Sequence, residues 1–173
     1  MILRYKEIIK KIDNKYFAHS CINSKDLFAN IMTGIKPIPK TTVEVGTYFG
    51  VSTIILASIC DVYAFDVKYY SETEYIWNKF KTKGNIFYHI VKDSDETKQI
   101  LKDKLFDFAF VDSVHNYENA KADFEVVSKC RRVLFHDNNN RFPGVAKFCK
   151  EIGAKKIGDF GYWEEKWNWA IEK

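Results

Sequence analysis

The sequence has 173 residues, of which 46% are hydrophobic and 29% are charged, and this composition predicts one globular domain rather than a disordered chain. Its 27 basic and 23 acidic residues give a formal net charge of +4 without a dense basic run, which argues against a nucleic-acid-binding surface. The four cysteines form no CxxC pair, no apolar run approaches the ~20 residues of a membrane span, and the charged start does not resemble a secretory signal. We therefore expect a cytoplasmic protein with free thiols.

Two helices are predicted before the first strand, over Leu3–Ile12 and over Ser24–Met32 with Ser24 as its N-cap. Strands and helices then alternate. The predicted strands are Thr42–Val45, Val62–Asp66, Ile86–Ile90, Asp107–Asp112 and Val133–Asp137. The predicted helices are about Val51–Ile59, a helix that begins with a capping box at Ser71 and Glu74, Ser94–Leu101, about Tyr117–Cys130, and one from Pro143 to before Gly153.

The last stretch of the sequence is predicted to form two strands around Gly161, as a hairpin. Strands that alternate with helices of this length predict a parallel sheet with helices on both faces. The expected fold is therefore α/β and doubly wound, with a mostly parallel seven-stranded sheet and a C-terminal β-hairpin. We expect a single domain over 1–173, in which 1–40 are N-terminal helices and 41–173 form the cofactor-binding core.

Acidic residues collect at the carboxyl ends of the predicted strands, where open α/β sheets bind ligands. Glu44 lies near the end of the first strand, Asp66 ends the second, Asp112 the fourth and Asp137 the fifth. One such carboxylate would be unremarkable, but four at one edge predict a functional cleft.

The turn after the first strand contains Gly46 and Gly50 and precedes a helix, which is typical of a loop that passes close to a nucleotide-like ligand. Asp66 follows Gly46 by twenty positions and is placed to accept both hydroxyls of a ribose, the alternative being that it only caps the following turn. A dinucleotide fingerprint needs a glycine where this loop has Tyr48, whose bulk would block the pyrophosphate. A ligand with a ribose but no phosphate, such as S-adenosylmethionine, therefore fits better than NAD.

Several segments resemble class I S-adenosylmethionine-dependent methyltransferases. EVGTYFGVSTIILA is similar to their motif I, closest to the catechol O-methyltransferase type, VYAFDV to their ribose-binding strand, and VKDSDE to the segment that holds the adenine. FAFVDSVHNYENAKADF and LFHDNNNRFPGVAKF resemble metal-dependent small-molecule O-methyltransferases, including those that methylate sugars of macrolides. The resemblance extends from Thr42 to the C-terminus and implies a Rossmann-like methyltransferase fold.

The resemblance also implies a set of site residues. Those expected to contact the cofactor are Glu44, Gly46, Tyr48, Gly50, Ser52, Asp66, Asp93, Ser94 and Asp112. Asp112 and Asp137 are expected to bind a divalent cation, Mg²⁺ in the first place, the alternative being that both are strand-end residues that bond loop amides. The catechol type takes its third ligand from the position of Asn138, and the sugar-modifying type from an acid at the position of His136. Since His136 is not an acid, Asn138 is the favoured third ligand and His136 is expected to pack as a strand residue, with completion of the site by His136 as the open alternative.

His115 lies where these families keep a general base, three residues after Asp112. The alternative is that His115 caps the following helix or packs under Tyr117. The expected activity is methyl transfer to a hydroxyl of a small molecule such as a sugar or a phenol. Because the chain lacks an obvious substrate-covering insertion, the pocket is expected to be open or to be completed by a second subunit of a homo-oligomer.

Two other functions stay open. A nucleic-acid methyltransferase is disfavoured because the sequence has neither an Asn/Asp-Pro-Pro-aromatic run nor a Pro-Cys pair. A non-catalytic scaffold that binds S-adenosylmethionine is disfavoured by the retained Asp112, His115 and Asp137.

Overall fold

The computed structural model describes residues 25–80 and 82–165. The predicted helix Leu3–Ile12 and the predicted N-cap Ser24 lie outside these residues. Within them, no helix is both long and apolar enough to cross a membrane.

Six helices and seven strands alternate along the described chain. The helices are α1 (Lys25–Gly34), α2 (Val51–Ala57), α3 (Ser71–Asn78), α4 (Ser94–Leu101), α5 (Tyr117–Val126) and α6 (Pro143–Glu151). The strands are β1 (Thr41–Val45), β2 (Asp61–Asp66), β3 (Ile86–Ile90), β4 (Phe108–Val111), β5 (Arg132–Phe135), β6 (Lys155–Ile157) and β7 (Phe160–Glu164).

All seven strands form one sheet in the order β3-β2-β1-β4-β5-β7-β6, which confirms the predicted doubly wound α/β fold. Strands β1 to β5 pair in parallel, whereas β7 runs antiparallel to β5 and β6 antiparallel to β7. The direction of winding reverses between β1 and β4, and ligands bind beyond the strand ends at such a reversal. The strand order therefore locates the cleft at the carboxyl ends of β1 and β4.

Two apolar layers cover the two faces of the sheet, which explains why the central strands are continuous hydrophobic runs. On one face α2 is buried along its whole length and packs near Phe28 and Met32 of α1. On the other face Phe135 of β5 and Phe148 of α6 belong to the layer between the sheet and the helices α5 and α6. Both layers hold the carboxyl ends of β1 and β4 in fixed positions.

Three local predictions were wrong. The turn of the hairpin lies at Gly158 and Asp159, and Gly161 is inside β7, paired with Phe135. Two Gly-containing turns were compatible with the sequence here, and only pairing with β5 selects the first. The capping box does not form: Tyr70 is the N-cap of α3, without a side-chain cap hydrogen bond. Finally, α5 ends at Val126 and not near Cys130.

Candidate functional site

The glycine loop after β1 rests directly on the backbone that follows β4. Gly46 has a φ of 91°, and a Cβ at this position would overlap the carbonyl oxygen of Asp112. The Asp112 N–H in turn donates to the Val45 carbonyl at 2.8 Å. Only glycine combines this backbone conformation with so close an approach. The loop and Asp112 therefore form one rigid unit at the reversal point of the sheet.

The rest of the loop is fastened to α3. The Thr73 hydroxyl donates to the Tyr48 carbonyl at 2.8 Å, and the Trp77 indole donates to the Gly50 carbonyl at 3.1 Å. Tyr48 has a φ of 47°, rare for a bulky residue, and its ring stacks on Phe49 at a centroid distance of 3.9 Å. The loop is thus held in a defined shape with an aromatic side chain at its tip.

Asp66 binds the loop itself. One oxygen, Oδ2, accepts from the N–H groups of Thr47 at 2.9 Å and Tyr48 at 2.7 Å, and Oδ1 accepts from the N–H of Lys68 at 3.0 Å. A carboxylate has about four acceptor positions, so three are already used. A ribose at this place would share Asp66 with the loop amides.

Glu44 is completely buried at the end of β1. Its Oε2 accepts a short hydrogen bond from the Thr53 hydroxyl, and the Ser52 hydroxyl lies near enough to lower the pKa of this carboxyl group. Its Oε1 has no hydrogen-bond partner. Burial raises the pKa of Glu44 to about 8, although the two hydroxyls lower it. A buried acceptor without a donor is the kind of group that a cationic ligand group satisfies.

The raised pKa of Glu44 predicts how the free energy of unfolding depends on pH. Between its ordinary pKa of 4.5 and the folded value of about 8, the folded protein keeps a proton that the unfolded chain releases, so the free energy of unfolding falls as the pH rises. We expect Glu44→Gln to remove up to about 1.4 kcal/mol per pH unit from this slope. Urea unfolding at intervals from pH 5 to 8 measures the slope. Glu125→Gln, on the exposed side of α5, is the control, and an unchanged slope in Glu44→Gln would contradict the assignment.

The segment expected to hold the adenine has polar contacts of its own. Asp93 is the N-cap of α4 and accepts from the Glu96 N–H at 3.0 Å. The Ser94 hydroxyl donates to Asp123 at 2.9 Å, and the Ser113 hydroxyl makes a short hydrogen bond to the same carboxylate. Asp123 is buried on α5 and was not singled out from the sequence, because a lone acid within an amphipathic helix carries no signal. It ties the loop after β3 to the loop after β4.

A compact cluster of donor atoms lies at the ends of β4 and β5. Asp112, His136 and Asp137 each offer one potential ligand atom, all within 4.8 Å of one another. His136 Nδ1 lies 3.0 Å from Asp112 Oδ1 and 3.5 Å from Asp137 Oδ2. Burial opposes a charge on His136, but the carboxylates around it, Asp112 first, raise its pKa. Burial also raises the pKa of Asp137.

His115 lies beside this cluster. Its Nδ1 is 3.1 Å from Asp137 Oδ2, close enough for an ion pair but without the angles of a hydrogen bond, and its ring packs on Phe142. The helix α5 is capped by Asn116, whose side chain accepts from the Asn119 N–H. His115 is therefore not the cap that was the alternative expectation. It sits in a narrow crevice together with Asp112 and His136.

Asn138 is directed toward the hairpin. Its side-chain Nδ2 donates to the Phe160 carbonyl at 3.3 Å, and the residue is buried. The structure thus brings His136 together with Asp112 and Asp137, and it engages the amide nitrogen of Asn138, but not its Oδ1, with β7. His136 was expected to pack as a strand residue, with a ligand role as the alternative, because nothing in the tripeptide His136–Asn138 shows which side chain faces the cluster.

A cavity of about 310 Å³ opens beside the cluster. Its walls are polar or charged. They are formed by His136, Asp137, Asn139, Asn140, Arg141, Lys156 and Asp159. Within the described residues, Arg141 and Lys156 form no ion pair with a carboxylate. The site therefore combines a glycine loop, a cluster of metal-ligand types and a polar cavity at one edge of the sheet.

Comparisons with known proteins agree with this arrangement. Residues 43–138 match the model of a family described as a methyltransferase domain. No curated protein matches the chain in sequence.

Solved structures share the fold at low sequence identity. An O-methyltransferase from Bacillus cereus, in complex with SAH, is 17% identical with a TM-score of 0.61, over 91% of this chain and 87% of its own. MycE, a methyltransferase of the mycinamycin biosynthetic pathway in complex with Mg and SAH, is 13% identical with a TM-score of 0.55, over 86% of this chain and 50% of its own. A precorrin 8w decarboxylase from Methanobacterium thermoautotrophicum is 19% identical with a TM-score of 0.56, over 75% of this chain and 72% of its own.

Proposed function

The chain belongs to the methyltransferase family, as a class I S-adenosylmethionine-dependent enzyme, and from this premise we propose that it methylates a hydroxyl group of a small polar molecule. The observation that carries the proposal is the cluster of Asp112, His136 and Asp137 between the glycine loop and an open cavity. This arrangement would hold a methyl donor on one side of the cluster and a hydroxyl acceptor on the other.

The donor side is formed by the loop and the ends of β1 and β2. S-adenosylmethionine supplies a methyl group on a sulfonium, together with an ammonium group and a ribose. We propose that the unpartnered Oε1 of Glu44 accepts from the ammonium group and that Asp66 accepts from the ribose at its remaining position. Asp93 and Ser94 would contact the adenine. Gly46, Tyr48, Gly50, Ser52 and Asp112 would enclose the methionine part.

The acceptor side is the polar cavity. Asparagine amides, an arginine, a lysine and two aspartates line it, and such walls hydrogen-bond to a polyhydroxylated molecule better than they enclose an aromatic ring. Between the two acceptor classes that the sequence suggests, the cavity therefore favours a sugar-like acceptor over a phenol.

A divalent cation fits the cluster. Asp137 Oδ2 is buried without a hydrogen-bond partner, and two carboxylates with a third donor are a common ligand set. The expectation from the sequence is Mg²⁺ at Asp112, Asp137 and Asn138. Such a cation would lower the pKa of a hydroxyl that binds it and orient that hydroxyl.

The remaining task of the protein is to remove the proton of the hydroxyl group and align it with the methyl carbon. Asp137 Oδ2, close to His115 Nδ1, favours a proton on that nitrogen and leaves Nε2 as the acceptor. We propose His115 as the general base. Rigid placement of the donor loop against Asp112 supplies the alignment on which in-line transfer depends.

The proposal is tested with radiolabelled S-adenosylmethionine and a panel of monosaccharides, glycosides, catechols and oligonucleotides. We expect transfer to a sugar hydroxyl, and we expect Lys156→Ala to raise the KM of that acceptor about tenfold, since hydrogen bonds to charged groups contribute ~1.5–3 kcal/mol. Lys155→Ala, next along β6 and outside the cavity lining, is the matched control.

The same panel distinguishes the alternatives. Transfer to oligonucleotides alone would indicate a nucleic-acid methyltransferase. Calorimetric binding of S-adenosylmethionine without transfer to any acceptor would favour a non-catalytic scaffold. Equal KM changes in Lys156→Ala and Lys155→Ala would contradict the placement of the acceptor.

A further inference from the structure

The potential metal ligands of the cluster are of two kinds, oxygen and nitrogen. Two carboxylates, from Asp112 and Asp137, converge with one imidazole, from His136. Oxygen-only sites suit Mg²⁺, whereas an imidazole ligand favours first-row transition metals, whose affinity for nitrogen is far higher. The identity of the third ligand therefore decides which class of cation the site selects.

The cluster includes a residue with unusual backbone geometry. Asp137 has a φ of 58°, a left-handed conformation that non-glycine residues seldom adopt. Asp137 is 6% exposed, and its buried Oδ2 accepts no hydrogen bond, with His115 Nδ1 at 3.1 Å and His136 Nδ1 at 3.5 Å as its neighbours. His136 is equally inaccessible, at 4%. A left-handed backbone and a buried carboxylate oxygen without a hydrogen-bond donor at one residue point to a ligand at that oxygen.

Asn138, the third ligand expected from the sequence, has its amide nitrogen donating to the Phe160 carbonyl of β7, so only its Oδ1 could bind a cation. His136 Nδ1 is hydrogen-bonded to Asp112 Oδ1 at 3.0 Å and lies 3.5 Å from Asp137 Oδ2. Such separations suit donor atoms that share one small cation. A cation between these atoms would replace the proton that His136 and Asp112 share. The three cysteines of the described residues are buried and lie outside the cluster, so they offer no competing thiolate site.

We propose that His136 Nδ1 is the third protein ligand and that the site binds a first-row transition-metal dication in preference to Mg²⁺. The proposal rests on the proposed function only for the role of the cation in methyl transfer, and its test uses binding alone. His115, with Nδ1 3.1 Å from Asp137 Oδ2, would act outside the ligand set by orienting that carboxylate.

The test is equilibrium binding of each metal alone to protein stripped of metal with EDTA. By calorimetry we expect wild type to bind Co²⁺ at least ~100-fold more tightly than Mg²⁺. His136→Asn should weaken Co²⁺ binding at least tenfold and leave Mg²⁺ binding within about threefold. Asn138→Ala should retain the wild-type Co²⁺ affinity. His89→Asn, which removes an imidazole from the opposite edge strand β3, controls for adventitious binding at histidines.

A second measurement needs no substitution at the cluster. Electron spin-echo modulation of Mn²⁺-loaded protein should show coupling to one histidine nitrogen, with the change expected for ¹⁵N when the protein is labelled with ¹⁵N-histidine. The same coupling in His115→Gln would assign the nitrogen to His136. Absence of the coupling, its loss in His115→Gln, or equal affinities for Co²⁺ and Mg²⁺ would overturn the proposal.

These outcomes are separate from the fate of the proposed function. Calorimetric titration of the stripped protein with S-adenosylmethionine tests donor binding without a metal. Selective Co²⁺ binding in a protein that transfers no methyl group would uphold the metal site and reject the activity. Methyl transfer by a protein that binds Mg²⁺ and Co²⁺ with equal affinity would uphold the activity and reject the proposed metal site.

Discussion

Replacing His115 by Gln is expected to lower kcat by roughly 10²–10⁴, the range for loss of a general base. The variant keeps a polar side chain in the crevice beside Asp137 but cannot accept the proton of the acceptor hydroxyl. Because the contacts of His115 are with Asp137 and Phe142 rather than with the glycine loop, we expect the Kd of S-adenosylmethionine to change little. Steady-state kinetics with an acceptor from the panel and calorimetry with the donor measure the two quantities.

His89→Gln is the matched control, since His89 stacks on Phe65 at a centroid distance of 5.0 Å and lies on the edge strand β3. A near-normal kcat in His115→Gln would remove His115 from the mechanism. A large fall in the unfolding temperature together with kcat would assign it a structural role against Phe142.

The second large effect is expected at Asp66. Its carboxylate holds the amides of Thr47 and Tyr48 and is proposed to bind the ribose, so Asp66→Ala removes both the shape of the loop and a ligand contact. We expect S-adenosylmethionine affinity to fall by at least the ~1.5–3 kcal/mol of one hydrogen bond to a charged group. Calorimetry measures this change, and NAD is expected not to bind wild type.

Asp61→Ala tests whether the effect is local. Asp61 begins the same strand, β2, and its side chain accepts a 2.8 Å hydrogen bond from the Asn85 N–H. Asp61→Ala therefore disturbs the strand at the end away from the cleft. We expect donor affinity to be unchanged there. Tight NAD binding, or full donor affinity in Asp66→Ala, would contradict the donor site.

The order of strands and helices was predictable because each element carries its own local signal. Runs such as Phe108–Val111 are too apolar for an exposed position, and polar residues such as Asn116 and Asp93 mark helix starts. The hairpin turn was placed incorrectly because its position depends on which residues of β7 pair with β5, a long-range choice that neither glycine reveals by itself.

The site was predictable in its residue types but not in its detailed contacts. The strand ends located Asp112 and Asp137, yet the left-handed backbone of Asp137 is a tertiary feature, and it accompanies a cluster in which His136 joins the two carboxylates. Likewise Asp66 was expected to face a ribose, but the fold brings the amides of Thr47 and Tyr48 to the same carboxylate. Neighbours distant in sequence decide both outcomes.

The close packing of Gly46 against the main chain of Asp112 has a consequence for how such an enzyme could diversify. The spacing between the donor loop and the cluster is determined by backbone atoms, which a side-chain substitution leaves in place. The cavity walls, in contrast, are side chains of the segment 139–141 and of the hairpin. Under the proposed function, substitutions there alter which hydroxyl of an acceptor is modified, and so the regiochemistry of the product, while the geometry of the donor is inherited unchanged.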